Sequence, residues 1–492
     1  MSGFDGIRRK PYLGGRFLET ATTRSLHAPF DGRLLGQIYE CNQTEIGLAL
    51  EHAERARFAV QRLTSDERAG KLKAISAALL ADKERLALAI CDEAGKPITD
   101  ARAEVQRAAL CFEFSAAETL SAAQEGQVLP MDFVPIGYGR VGVLRRFPLG
   151  PIAAISPFNF PLNLAVHKVA PAMAAGCPVI LKPASQAPTA SLLLAEIIDR
   201  IGWPVGGVQV VPSQRAAADL LVTDDRCKLL TFTGSAQVGW EMKARAGKKK
   251  VTLELGGNAA VILDESVHPN DLKNIVPKLT YGAFSYSGQK CISTQRIYVV
   301  DRSRTGLFRA VCEQMAEATS AIIVGDPRDP DVVVGPMIDE QNARRIESWV
   351  AEAEQLGARA LVRGVRQGTL VFPTLLCDVP RHARVVREEV FGPVCNIDCV
   401  GSFSEAIDAV NDSRYGLQAA VFTNDLRHAL LAHEKLAVGA VVLNEAPSFR
   451  IDHMPYGGIK DSGLGREGIR TAILDMTEPR LLVTGVLPSA MG

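Results

Sequence analysis

From residue 151 onward the chain alternates between short β-rich runs and helix-length segments, and this rhythm constrains the fold more than any other feature. The β-rich runs fall at 151–157, 178–182, 208–212, 228–233 and 251–255, with helix-length stretches at 162–175, 189–200 and 236–246 between them. Strands that return through helical crossovers lie side by side in one direction, which predicts a parallel, doubly wound sheet. The alternation resumes at 259–263, 296–300, 418–423 and 439–443, so two α/β domains are expected, meeting near 254–258. Before residue 151 the pattern is helical. Apolar residues recur three and four apart over 45–63 and 68–93, Gly95-Lys-Pro97 closes the second stretch, and a third covers 99–123. Segment 126–147 reads as a hairpin-like excursion, and 481–484 as a last strand pairing with that excursion or with a partner subunit.

Composition narrows the function classes. A chain of 492 residues with 47% hydrophobic and 22% charged residues has room for two to four domains or one large α/β enzyme, and disorder is excluded as its main state. Lysine plus arginine total 55 and acidic residues 55, and the densest basic run, Lys248-Lys-Lys250, reads as a solvated turn after a helix. Without a basic stripe, no nucleic-acid partner is expected. The first ten residues lack an apolar signal-like core, and the longest apolar stretch, 169–181, is broken by Pro171, Gly176 and Pro178, so neither secretion nor a membrane span is expected. Ten cysteines lie scattered between Cys41 and Cys399 with no C-x-x-C pair and no Cys/His cluster at zinc spacing. No metal site and a reducing, cytoplasmic compartment follow as expectations.

Only one segment spells the dinucleotide fingerprint, Gly463-Leu-Gly465-Arg-Glu-Gly468. That motif needs a preceding strand to bring pyrophosphate onto a helix N-terminus, and a loop precedes it here, so it reads as a decoy. The ends of the expected parallel strands are better ligand sites. They carry Pro157-Phe-Asn159-Phe-Pro161, Lys182-Pro-Ala-Ser185, Thr233-Gly-Ser235-Ala-Gln-Val-Gly239 and Glu254-Leu-Gly-Gly257, and further on Ser287-Gly-Gln-Lys-Cys291 sets a cysteine among small polar residues.

Together with Glu388-Glu-Val-Phe-Gly-Pro393 and Pro455-Tyr-Gly-Gly-Ile-Lys-Asp-Ser-Gly463, these motifs stand in the order and spacing of the NAD(P)-dependent aldehyde dehydrogenase superfamily, which the chain resembles over essentially its whole length. The resemblance implies a cofactor-binding domain at 1–125 and 149–254, a catalytic domain at 255–465 and an oligomerisation element at 126–148 and 469–492 that builds a homodimer or homotetramer. It implies Cys291 as nucleophile, Asn159 with the Cys291 N–H as oxyanion donors, Glu254 as the base that activates water, and Glu467 as a proton relay. A thiolate attacks an aldehyde to give a thiohemiacetal, and loss of hydride leaves a thioester for hydrolysis. For NAD or NADP it implies contacts from Phe158, Lys182, Ser185, Gly234, Ser235, Gly239, Glu389 and Phe391. Members restricted to NAD often carry Glu where this chain has Ser185. Serine does not repel a 2′-phosphate, so use of both cofactors is expected. Arg215 reads as an exposed helix-start arginine or a 2′-phosphate partner.

The substrate side departs from relatives with hydrophobic tunnels. Asn163 and His167 stand four apart and share a helix face, while Lys290, Arg450 and His453 add positive or titratable groups. The set resembles members acting on small polar or anionic aldehydes of the phosphonoacetaldehyde, glyceraldehyde 3-phosphate, succinic semialdehyde or lactaldehyde type, held by charge-assisted hydrogen bonds. Two rival readings stand beside this one: a CoA-acylating semialdehyde dehydrogenase, against which Glu254 argues, and a catalytically silent homologue.

Overall fold

The computed structural model describes residues 7–121, 126–301 and 306–485. The expectations for the first six residues, for a helix continuing past residue 121 and for the last seven residues of the tail fall outside them. The first long helix, Gln43–Arg62, starts at a capping box in which Asn42 and Glu45 satisfy each other's backbone N–H groups. The single helix expected over 68–93 is two, Ser65–Ala81 and Lys83–Ala94, broken at Asp82, whose backbone leaves the helical region. The break is silent in the apolar period because Leu72, Ile75 and Leu79 before it and Leu86 and Ile90 after it are all buried. Helix Ile98–Leu120 follows and packs on Ser65–Ala81 and on Asn163–Ala175.

Two doubly wound sheets carry the molecule. In the first, Lys250–Glu254, Leu229–Thr233, Ile152–Ile155, Val179–Lys182 and Val208–Val210 lie side by side in that order, all parallel. Its strand order reverses between Ile152–Ile155 and Leu229–Thr233, the topological switch point at which open α/β sheets bind ligands. Residues Ile152, Ala153, Ala154, Val179, Ile180 and Leu181 are fully buried, because helices cover both faces. One edge is closed by the N-terminal strands Tyr12–Leu13 and Arg16–Phe17, the other by Gly463–Leu464, antiparallel to Leu253 and Glu254. The first two residues of the decoy glycine run therefore form an edge strand of this sheet.

The second sheet runs Arg359–Val362, Thr374–Cys377, Val394–Val400, Arg296–Val300, Ala260–Leu263, Gln418–Phe422, Ala440–Leu443, parallel except for its first pair. Three of its strands, Arg359–Val362, Thr374–Cys377 and Val394–Val400, escape the sequence reading. Asn396 interrupts the apolar run of the last, yet it is buried and donates to the carbonyls of Gln295 and Val385. A third, smaller sheet pairs Val141–Pro148 antiparallel with both Gln127–Pro130 and Thr477–Thr484. The last strand thus starts at Thr477, four residues before the expected run, and does pair with the excursion. Among the described residues, no helix is long and apolar enough to cross a membrane.

Candidate active site

A cleft of about 660 Å³ opens at the switch point, lined by Ile155–Asn159 on one strand end, Phe232–Ser235 on the other, and Cys291, Glu389 and Phe391 from the facing side. That volume lies in the ordinary range for small-molecule sites. Of the residues expected to contact the cofactor, Phe158, Lys182, Ser185, Gly234, Ser235, Glu389 and Phe391 line it, as does Arg215. Gly239 is buried one turn into helix Ala236–Arg245, where a Cβ would collide with Leu255.

The cleft suits a dinucleotide. Lys182 Nζ lines the cleft without a hydrogen-bond partner among the described residues, and burial draws its ammonium down to about 8. Ser235 is the N-cap of helix Ala236–Arg245 and makes no side-chain cap bond, which leaves that N-terminus open to an anion. Glu389 accepts the Gly257 N–H at 3.0 Å, and burial lifts its carboxyl to about 7. Phe158 and Phe391 meet edge to face at 5.9 Å across the cleft. Arg215 lies at the rim but is paired with Glu241 at 2.6 Å.

Cys291 follows a strained turn. Tyr286, Ser287 and Gly288 are consecutive left-handed residues, with φ of 51°, 56° and 64°. For the two non-glycine residues this costs about 1–3 kcal/mol each, and the surroundings must hold it. They do: Tyr286 Oη donates to the Ala94 carbonyl, Ser287 Oγ to that of Gly335, and the Gln289 amide bonds both Pro336 and Ile338. A Cβ on Gly288 would sit 2.2 Å from the Gly392 oxygen, and one on Gly257 2.2 Å from the Cys291 oxygen. The glycines of the Glu254 motif thus let the cysteine backbone approach the strand end.

Around the sulfur, Tyr456 Oη lies 3.0 Å from Sγ, and the Arg450 guanidinium covers the Tyr456 ring at 3.7 Å. Burial pushes the Cys291 thiol up to about 11; Tyr456 and Arg450 oppose the rise, and Glu389 and Glu254 add to it. Asn159 Nδ2 donates to the Gln289 carbonyl at 3.0 Å with one N–H, leaving the second free. The Cys291 N–H has no hydrogen-bond partner among the described residues.

Two buried carboxyls stand behind this site with opposed environments. Glu467 is pulled upward by burial, yet Lys168 at 2.7 Å and Arg450 at 3.2 Å hold it down to about 2, in the ionised form. Neither Glu254 oxygen has a partner in full hydrogen-bond geometry among the described residues, and burial followed by the charge of Glu467 pushes it well above the carboxylate range, against a weaker pull from the Glu467 backbone. Such a split separates a fixed anion from a carboxyl able to carry a proton.

Asn163 and His167 converge on Asp452 at 3.1 and 2.9 Å, and Arg107 grips the same carboxylate at 2.7 and 3.0 Å. Arg450 reaches His167 at 3.4 Å, which joins this cluster to Glu467 and Tyr456. The other two expected substrate residues stand apart from it. Lys290 turns its Nζ to Ser285 Oγ and over the Tyr281 ring, and His453 is exposed against Phe114. Cys111, His167 and Asp452 are close enough to hold a metal ion, but the Arg107 and Arg450 guanidiniums already supply the positive charge there. Arg107, Asp452, Lys168 and Tyr456 were not singled out from sequence. Tyr456 at least lay within a quoted motif, whereas Arg107 is one of many helical arginines, 345 positions from its partner.

Two doubly wound sheets with a dinucleotide-sized cleft at the switch point define a nucleotide-dependent α/β enzyme. The chain belongs to the aldehyde dehydrogenase family, whose sequence model matches residues 17–482. It is an oxidoreductase that oxidises aldehydes to acids with NAD or NADP. It is 38% identical over 473 residues to 3-sulfolactaldehyde dehydrogenase of Priestia megaterium, covering 96% of this chain and 97% of that one. Its fold is similar to aldehyde dehydrogenase 21 from Physcomitrella patens in complex with the reaction product succinate, at 39% identity and a TM-score of 0.94, over 98% and 99% of the two chains. It also resembles the NADP-dependent glyceraldehyde-3-phosphate dehydrogenase from Bacillus halodurans complexed with NADP, at 35% identity and a TM-score of 0.93, over 98% and 100%.

One buried ion pair ties the site together. Lys96 and Glu104 are bonded to each other, the second Glu104 oxygen accepts the N–H groups of Leu162 and Asn163, and Lys96 Nζ sits under the rings of Phe160 and Tyr286. The pair thereby joins the Asn159 loop to the turn before Cys291. Glu104→Gln leaves the Lys96 charge buried and unpaired, and is expected to cost about 3–5 kcal/mol in chemical unfolding. A loss under 1 kcal/mol would show that the two loops are held by other contacts.

Proposed function

We propose that the chain oxidises a small, polar, anionic aldehyde through a covalent thioester on Cys291. The observation that carries this reading is the cluster joined to the sulfur through Arg450 and Tyr456, where Arg107, Arg450 and Lys168 face Asp452 and Glu467 while Glu254 is held neutral. Three cations meet two ionised carboxylates, so one positive charge remains for a ligand. Arg107 is its accessible member, with 28% of its side chain exposed against 7% for Arg450. Relatives named for sulfolactaldehyde and glyceraldehyde 3-phosphate, and one solved with succinate, agree with an anionic group two or three carbons from the aldehyde.

In this reading, Cys291 Sγ bonds the aldehyde carbon, and the carbonyl electron pair moves onto oxygen, where Asn159 Nδ2 and the Cys291 N–H stabilise it. When bound, NAD or NADP accepts the hydride. Lys182 would hold the adenosine ribose, Ser235 the pyrophosphate and Glu389 the nicotinamide ribose, with Phe158 and Phe391 lining the same cleft. Ser185 leaves room for a 2′-phosphate. Glu254, once deprotonated, takes a proton from the water that releases the acid, and Glu467 with Lys168 fixes the field in which it titrates. Because the Glu254 carboxyl is raised, this step strengthens as pH climbs.

The same proposal assigns 1–125 and 149–254 to the cofactor, 255–465 to catalysis, and 126–148 with 469–492 to a homodimer or homotetramer. Val128 and Leu482 of the small sheet, with Phe133 and Ile136 in the connection between two of its strands, are strongly exposed apolar residues, the kind that mark an interface. Light scattering is expected to give a dimer or tetramer mass, and Leu482→Glu with Ile136→Glu to give a monomer. A monomeric wild-type protein contradicts the assignment.

An aldehyde panel, acidic against neutral against long-chain, run separately with NAD and NADP, tests the substrate class. Acidic short aldehydes are expected to have the highest kcat/KM with both cofactors. Arg107→Met is expected to raise KM for them about tenfold or more, with little change for neutral ones. Equal kcat/KM for acidic and long-chain aldehydes sinks the reading, and a requirement for CoA would replace it with acyl transfer to a thiol.

A further inference from the structure

We propose that Tyr456 is a further catalytic residue, whose hydroxyl donates a hydrogen bond to the ionised sulfur of Cys291 and whose ring, covered by Arg450, hands that arginine's field to the nucleophile. The proposal rests on Cys291 being the nucleophile and adds how its thiolate is made available. Three observations carry it. Tyr456 Oη lies 3.0 Å from Sγ, a short approach for an oxygen–sulfur pair. The Arg450 guanidinium stands 3.7 Å from the centre of the same ring, and it is fixed from behind by Glu467 at 3.2 Å. Both tyrosine and arginine are nearly inaccessible to water, so the donor is held unhydrated against a sulfur that is itself half-buried at the cleft.

The chemistry runs in one direction. Burial and the neighbouring sulfur push the Tyr456 hydroxyl well above its usual value, so it keeps its proton and meets a thiolate as a donor. A hydrogen bond from a neutral hydroxyl to a charged acceptor is stronger than one to the neutral thiol, so it favours the ionised sulfur. A cation over the ring face strengthens the O–H as a donor and repels no part of the thiolate charge. Burial and the Glu389 charge work against ionisation of the sulfur, and Tyr456 and Arg450 work for it. Phenylalanine at 456 would fill the same space and keep the ring under Arg450 while removing the donor.

The test follows the thiol itself without cofactor or substrate. Wild type and Tyr456→Phe are treated with iodoacetamide across a pH series, and alkylation of the peptide containing Cys291 is quantified by mass spectrometry. The midpoint in Tyr456→Phe is expected to move up by about one pH unit, making alkylation near neutrality about tenfold slower. The rate at full ionisation should stay within about twofold. Thiolate absorbance in the ultraviolet, as the difference from Cys291→Ser in each background, should move by the same amount. An unchanged or lower midpoint overturns the proposal. A failure of Cys291 itself as nucleophile is recognised separately, by aldehyde oxidation surviving in Cys291→Ser.

Discussion

The left-handed turn over Tyr286, Ser287 and Gly288 is the constraint on which the rest of the site depends. It carries Cys291 out of the helix-to-strand connection of one sheet and into the mouth of the other. Its strain is held by hydrogen bonds to Ala94, Gly335 and Pro336, and by glycines that permit otherwise impossible backbone approaches. The buried Lys96–Glu104 pair extends the same logic, since it fixes the turn and the Asn159 loop to a common point. Asn159, the Cys291 N–H and the sulfur are thus set before any ligand arrives, as the proposed stabilisation of a developing charge requires.

Charge is arranged around that fixed point rather than over the surface. The chain is neutral as a whole, with 55 basic and 55 acidic residues. Linked to the sulfur through Tyr456, however, Arg450, Lys168 and Arg107 form a continuous polar network with Glu467, His167 and Asp452 that is buried except at Arg107. Inside a low-dielectric interior this network separates two carboxyls that would otherwise behave alike, keeping Glu467 charged and Glu254 protonated.

Much of this was legible in the sequence because it is local. Strand ends with Asn159, Lys182, Ser235 and Glu254 announced themselves by short apolar runs ending in small or polar residues, and their alternation with helices fixed a parallel sheet. What stayed hidden is what depends on distant partners. The break at Asp82 is masked because the apolar period passes through it. The strand Val394–Val400 is masked by Asn396, whose polarity is satisfied only by Gln295 and Val385. Lys290 carries a charge beside Cys291 in sequence, but its Nζ turns to Ser285. Arg107 has no local mark at all and becomes meaningful only when the fold delivers Asp452 to it.

The central claim is that Cys291 and Glu254 divide the reaction between them, one forming the thioester and the other releasing it. The most direct measurement is mass spectrometry of Glu254→Gln mixed with an acidic aldehyde and NAD or NADP. The account predicts a single burst of reduced cofactor, matched by an acyl adduct on the peptide containing Cys291 that persists because its hydrolysis is slowed. Sustained turnover by Glu254→Gln at the wild-type rate, or a burst with the adduct on any other residue, would contradict it.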